Sequence, residues 1–155
     1  MSGNADNLLT NPGFETGDTT GWVVRSNCPN GVYGANLPFA GTTTLVHSGN
    51  FAFDVAPPPG GGTVEAFLGQ HITVPGAGTY DVSFYVGSNA ASSQVTAYIQ
   101  EPGANNPFVV DLPHIGMWEK VSATVSLPAG QQAVSVTVTS DGPFAVDDFS
   151  VIQHT

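Results

Sequence analysis

The stretch TYDVSFYVG, from Thr79 to Gly87, decides the fold of this chain. Apolar side chains occupy every second position within it: Tyr80, Val82, Phe84 and Val86. Because successive side chains of a β-strand point to opposite faces, this alternation predicts a strand that buries one face. Tyr85 then lies on the opposite, outward face.

The same alternation recurs along the chain, with glycine- and proline-rich turns between the segments. It predicts further strands at Trp22–Arg25, Thr43–His47, Phe51–Val55, Val64–Val74, Ser93–Gln100, Phe108–Leu112, Lys120–Leu127, Gln132–Thr139 and Phe144–Ile152. The longest stretches without alternation are Asn27–Gly41 and Ala56–Gly62, where recognition loops are expected. These short strands predict an all-β fold, a two-sheet antiparallel jelly-roll β-sandwich that forms a single domain over residues 1–155.

Charged residues are scarce, and most of them are acidic. Only Arg25 and Lys120 are cationic, against twelve Asp and Glu residues, so the formal net charge is -10. Such a surface repels polyanions and offers almost no counterion release, which excludes nucleic acid as a partner. No apolar stretch approaches the roughly 20 residues that a membrane-spanning helix requires, so membrane insertion is not expected. The chain as given also shows no signal peptide.

The sequence does not assemble the groups that carry catalysis. Cys28 is the single cysteine, and the four histidines lack a metal-binding spacing such as H-x-x-x-H. No G-x-S-x-G nucleophile motif occurs. Asp147 and Asp148 are adjacent, so on a regular strand their carboxylates point to opposite faces and cannot act together as acid and base. The sequence therefore predicts that the protein is not an enzyme.

Five landmarks spread over nearly the whole chain resemble those of one known family. They are NLLTNPGFETGDTTGW (Asn7–Trp22), HSGNFA (His47–Ala52), GTYDVSF (Gly78–Phe84), WEKV (Trp118–Val121) and VDDFSV (Val146–Val151). Together they resemble carbohydrate-binding modules of families 4, 9 and 22. The resemblance implies a galactose-binding-domain-like jelly roll, frequently with a structural calcium ion, that serves as a non-catalytic module.

The resemblance also maps Glu15, the His47–Asn50 turn and Asp147 onto a calcium site. Calcium takes about six to eight oxygen ligands and often mixes carboxylates with backbone carbonyls. Counting by twos from Phe149 and Val151 places Asp147 on a buried face, where a carboxylate needs a partner. The candidate metal ligands are Glu15, Asp18, His47, Asn50 and Asp147. The alternative is that Asp147 accepts hydrogen bonds from loop amides and that Glu15 is a solvated turn residue.

Outward tyrosines form the candidate glycan site. Alternation places Tyr85 and Tyr98 on outward faces, and we expect their strands to be neighbours. Gln94, Thr96 and Gln100 share the outward side of the strand that carries Tyr98. Aromatic rings cover the apolar side of a pyranose, while amides and hydroxyls bind its hydroxyl groups. The same residues could equally form cross-strand pairs that stabilise the sheet or a protein interface.

Two functions follow from these patterns. The first is a carbohydrate-binding module whose partner is a glycan or polysaccharide. The second is a structural protein of an assembly, such as a decoration or fibre protein of a phage capsid, whose partners are other virion or surface proteins or further copies of this chain in a homo-oligomer. Either function places the protein outside the cell or on a virion surface.

Overall fold

The computed structural model describes residues 7–26, 28, 30–34, 47–56, 62–87, 94–103, 105–112 and 118–154. Ten strands supply the regular structure of these ranges: β1 (Val23–Arg25), β2 (Asn30–Gly34), β3 (Phe51–Val55), β4 (Val64–Val74), β5 (Gly78–Gly87), β6 (Val95–Gln100), β7 (Phe108–Leu112), β8 (Glu119–Leu127), β9 (Gly130–Ser140) and β10 (Phe144–Gln153). No helix occurs in the ranges just given, and hence none that could cross a membrane.

The strands form two antiparallel sheets of five strands each. The first sheet has the order β1-β4-β9-β6-β7, and the second sheet has the order β2-β3-β10-β5-β8. Their inner faces pack against each other through fully buried side chains, among them Leu68 and Ile99 of the first sheet and Phe53 and Phe84 of the second. The predicted all-β, two-sheet jelly-roll sandwich is confirmed.

The edge strand β2 is one that alternation does not predict. It falls inside Asn27–Gly41, which we expected to be irregular, because NGVYG contains two glycines and only a short apolar pattern. It pairs with β3 along its whole length and forms an edge of the second sheet. The predicted strand Thr43–His47 lies outside the described residues except for His47, which stands in a bend before β3.

A β-bulge interrupts β10 at Asp148. The register with β5 gains one residue after Asp147, which lies opposite Tyr85, and Asp148 has a left-handed φ of 51°. An extra residue reverses the alternation of the strand, so Asp147 belongs to the outer face and Phe149 to the core. The prediction that Asp147 shares a face with Phe149 and Val151 is therefore wrong, although Asp147 is fully buried.

Candidate functional site

A row of side chains crosses the outer face of the first sheet. The strand registers place Arg25 opposite Phe67, Phe67 opposite Thr137, Thr137 opposite Tyr98, and Tyr98 opposite Val109. Residues directly opposite each other share one face of a sheet. Phe67 and Tyr98 therefore stand on either side of Thr137, about 9–10 Å apart at the backbone because two strand spacings separate them.

Two hollows lie along β6 and β9 on this face. The larger, of about 380 Å³, is lined by Phe67, Tyr98, Gln100, Pro107, Ser135 and Thr137. The smaller, of about 190 Å³, is lined by Thr63, Gln94, Thr96, Thr139, Ser140 and Asp141. Small hydroxyl residues make up four of the six lining residues of the smaller hollow, whereas the larger hollow combines the rings of Phe67 and Tyr98 with the hydroxyls of Ser135 and Thr137. Four predicted ligand residues line these hollows: Gln94, Thr96, Tyr98 and Gln100.

Phe67 is a site residue that we did not predict, although the alternation of its strand places it on the outward face. In β4 the buried side chains alternate, and Phe67 falls in the outward phase between Glu65 and Gly69. Its ring lies over Gly69, where an added Cβ would come within 3.2 Å of the ring atom Cζ. The guanidinium of Arg25 stands 5.7 Å from the ring centroid. A large apolar residue in an outward phase indicates an aromatic ring on the outer face of the sheet, and here that ring is half-buried.

Tyr85 lies on the other side of the molecule. It belongs to β5 of the second sheet, whereas Tyr98 belongs to β6 of the first sheet. The prediction that the two tyrosines lie on neighbouring strands is wrong, because the chain crosses between sheets after β5. The ring of His47 stacks on Tyr85 with centroids 3.8 Å apart, and the rings of His47 and Trp118 form a T-shaped pair with centroids 5.3 Å apart. Tyr85 therefore packs in a separate aromatic cluster.

Two carboxylates of the second sheet bind the turn before β3. Asp147 accepts hydrogen bonds from the amides of His47 and Ser48, at 3.0 and 3.3 Å. Asp148 accepts one from the Ser48 hydroxyl at 2.6 Å and lies 2.6 Å from Nδ1 of His47. Burial and the charge of Asp148 raise the pKa of Asp147 to about 7, although the amide hydrogen bonds oppose this shift. The bulge thus brings both side chains to one turn, and the prediction that they diverge is wrong.

Glu15 binds the other end of the same turn. Its carboxylate accepts hydrogen bonds from the amides of Asn50, at 2.8 Å, and Phe51, at 3.1 Å. Gly49 permits this approach, because an added Cβ there would lie 2.5 Å from the Glu15 carboxylate and because its φ is 68°. Glu15 is therefore a bound part of the turn, although it is solvent-exposed.

The donor chemistry of this acidic cluster fits a calcium ion. A Cβ added at Gly13 would lie 3.2 Å from Oδ1 of Asp148 and 3.7 Å from Oδ1 of Asp147, so two carboxylate oxygens border this space, while the carboxylate of Glu15 lies next to Gly49. Calcium prefers such hard oxygen ligands. In the part of the chain that the structure describes, no three His, Cys, Asp or Glu side chains are already spaced to hold a metal. Asp18 instead accepts hydrogen bonds from two threonines of its own turn.

Similarity to known proteins extends over almost the whole chain. Over 157 residues it is 27% identical to endo-1,4-β-xylanase A of Thermoanaerobacterium saccharolyticum, an alignment that covers 94% of this chain and only 13% of the xylanase. The structure resembles that of TmCBM61 in complex with β-1,4-galactotriose, with a TM-score of 0.73, 23% identity, and coverage of 97% of this chain and 100% of that chain. It also resembles the enzymatically active domain of tailspike protein 4 of bacteriophage CBA120, with a TM-score of 0.60, 12% identity, and coverage of 94% of this chain and 21% of that chain.

The two structural likenesses show the shared fold alone, because both are below 25% identity. The sequence model of a carbohydrate-binding domain family matches residues 6–143, which is most of the chain. This match includes the nine strands β1 to β9 and ends just before β10, and it covers four of the five family landmarks in the sequence. The chain therefore belongs to this family of carbohydrate-binding domains.

Proposed function

We propose that this non-catalytic module binds a neutral polysaccharide on the outer face of its first sheet. The observation that carries the proposal is the row in which Phe67 and Tyr98 flank Thr137 beside the larger hollow. An aromatic ring presents an apolar surface about the size of a sugar ring. Polar groups beside it favour a sugar whose hydroxyls can form hydrogen bonds with them. The row supplies both kinds of group in one place.

The spacing of the two rings favours an extended chain over a single sugar. Two strand spacings, about 9–10 Å, separate the backbones of Phe67 and Tyr98. A polysaccharide that crosses the strands can therefore place one unit near each ring and a third unit above Thr137. The hydroxyls of β9 and the amide of Gln100 then face the polar edges of the sugar units.

The charges on this face favour a neutral ligand. Glu65 lies opposite Thr139, Asp111 lies opposite Thr96, and Asp141 lines the smaller hollow. Arg25 is the one cation of the row, so carboxylates outnumber it and disfavour an anionic polymer. Two of the similar proteins support this class of ligand. TmCBM61 binds the neutral β-1,4-galactotriose, and the sequence relative is named as an endo-1,4-β-xylanase.

We also propose a structural calcium ion at the acidic cluster. Glu15, Asp147 and Asp148 would hold it, together with backbone carbonyls of the His47–Asn50 turn. The His47 ring is already engaged by Asp148 and stacked on Tyr85, so it is not a ligand in this proposal. A bound calcium would supply the positive charge that the three carboxylates lack and would tie the turn to β10.

Retention in gels that contain neutral polysaccharides tests the glycan site. Phe67→Ala and Tyr98→Ala each remove one ring, and we expect each to weaken affinity by roughly tenfold or more, equivalent to about 1.4 kcal/mol. Tyr85→Ala is the matched control, because it removes an outward tyrosine from the opposite sheet, and its affinity should stay at the wild-type value. Wild-type affinity in both test variants, or no retention of the wild type by any neutral polysaccharide, would overturn the proposal.

A structural role in an extracellular or virion-surface assembly is the second candidate. The edge strand β7 favours it, since Phe108 is 41% exposed and Val109 is 53% exposed. Edge strands with exposed apolar side chains readily pair with further strands. The likeness to a phage tailspike domain supports this candidate at the level of the fold.

Light scattering over a range of protein concentrations separates the two candidates. An assembly component that associates through β7 should show a multiple of the 15.9 kDa chain mass, and Val109→Lys should return it to a monomer. A monomeric wild type at every concentration would remove this candidate and leave the glycan proposal untouched.

A further inference from the structure

Asp54 is a buried carboxylate that nothing described so far explains. It lies in β3 and is 3% exposed. Neither of its carboxylate oxygens accepts a hydrogen bond from any described residue. Burying a charged group without a partner is costly, so such a group in a folded protein points to a bound ion, a water or a proton.

The position of Asp54 places it beside Asp147. Asp54 lies opposite Ala145 of β10, and Asp147 is two residues further along the same outer face. Diagonal neighbours of this kind are about 7–8 Å apart at the backbone. Burial and the charge of Asp147 together raise the pKa of Asp54 to about 8. The two buried carboxylates repel each other whenever both are ionised, and a positive charge between or beside them would remove that repulsion.

Among the residues that the structure describes, no cationic side chain supplies that charge. Arg25 belongs to the first sheet. Lys120 lies in β8, three strands away from β3 in the second sheet, and is exposed. His47, the histidine at the nearby turn, is bound to Asp148 and stacked on Tyr85.

The Asp54 position is separate from the acidic cluster at Glu15. Glu15 contacts the amide of Phe51, and Asp54 is three residues further along β3, roughly 10 Å away. Side chains stand roughly perpendicular to a sheet, so they do not shorten this distance along the strand. Two oxygens that share one calcium ion lie at most about 5 Å apart, because each is within about 2.6 Å of the ion. One ion cannot bridge Glu15 and Asp54.

We propose that Asp54 anchors a second hard divalent cation, of the calcium type, on the outer face of the second sheet, beside Asp147 and apart from the Glu15 cluster. Asp54 supplies the free carboxylate oxygens, and Asp147 adds negative charge at its side. Backbone carbonyls and water complete the oxygen ligands, as is usual for calcium. The cation removes the repulsion between the two aspartates and fixes β3 to β10.

Counting calcium ions per chain tests this proposal without reference to glycan binding. The full chain is freed of metal with a chelator, and calcium is titrated by calorimetry and equilibrium dialysis. We expect two calcium ions for the wild type, one for Asp54→Asn and one for Glu15→Gln. Asp81→Asn is the matched control, because Asp81 is an outward aspartate of the same sheet that is already paired with His154 and Thr124, and it should keep both ions.

The outcomes separate this site from the cluster at Glu15. If Asp54→Asn still binds two ions, or if the wild type binds none or only one that Glu15→Gln abolishes, the second site does not exist and Asp54 holds a proton. If Asp54→Asn loses an ion that Glu15→Gln retains, the second site stands, whatever happens at the cluster. Should Asp54→Asn fail to fold, Glu15→Gln decides alone: one remaining ion supports the proposal, and none overturns it.

Discussion

At the scale of single residues, glycines permit the close contacts of both the acidic cluster and the aromatic row. Gly49 lets the backbone of the His47–Asn50 turn reach the Glu15 carboxylate, and Gly69 gives the ring of Phe67 room to lie over β4. In both places a methyl group would meet the partner at 3.2 Å or less. The sequence shows these glycines but not their neighbours, so the acidic cluster could be predicted only in outline: Glu15, His47, Asn50 and Asp147 meet at one turn, whereas Asp18 does not join them.

Gly49→Ala should destabilise the protein more than a comparable glycine substitution. The left-handed φ alone costs an alanine about 1–2 kcal/mol, and the collision with Glu15 adds to that loss. Gly103→Ala is the control, because Gly103 has a φ of 80° but no neighbouring atom within 4 Å of an added Cβ. Urea unfolding measures both variants. Equal losses in the two variants would show that the Glu15 contact contributes nothing to stability.

At the scale of elements, alternation predicts the regular strands and misses the irregular ones. Strands such as β5 and β9 carry a long two-residue period, so their positions follow from burial of one face. The edge strand β2 has little apolar pattern to bury, and its pairing with β3 is a long-range contact that local sequence does not encode. The bulge in β10 reverses the alternation at one residue, which is why counting by twos assigned Asp147 to the wrong face.

Asp148 should tolerate asparagine far better than alanine. Asparagine adopts the left-handed conformation more readily and keeps an oxygen that can accept the Ser48 hydrogen bond, whereas alanine loses both. We expect Asp148→Ala to cost roughly 1–3 kcal/mol of unfolding free energy and Asp148→Asn much less. Unfolding in the presence of a chelator removes any contribution from bound calcium. A similar loss in both variants would mean that the negative charge, and not the bulge conformation, is what Asp148 supplies.

At the scale of the whole molecule, the sandwich carries two different outer faces. The first sheet presents the aromatic row with its hydroxyl-lined hollows, and the second presents buried acids and the cluster of His47, Tyr85 and Trp118. The sequence could predict which side chains point outward, but not which sheet each strand joins. The chain crosses from the second sheet to the first between β5 and β6, and the alternation of apolar residues is the same in both strands. This is why the predicted residues of β6 lie together and Tyr85 lies apart.

The central claim is that glycan binds the first sheet and not the second. NMR titration of the labelled chain with a neutral oligosaccharide that it retains tests this claim most directly. We predict that amide shifts and line broadening concentrate at Phe67, Tyr98 and Thr137, while Tyr85 and Lys120 stay unchanged. Shifts that concentrate around Tyr85 and Lys120, with the Phe67 and Tyr98 row unaffected, would contradict the account.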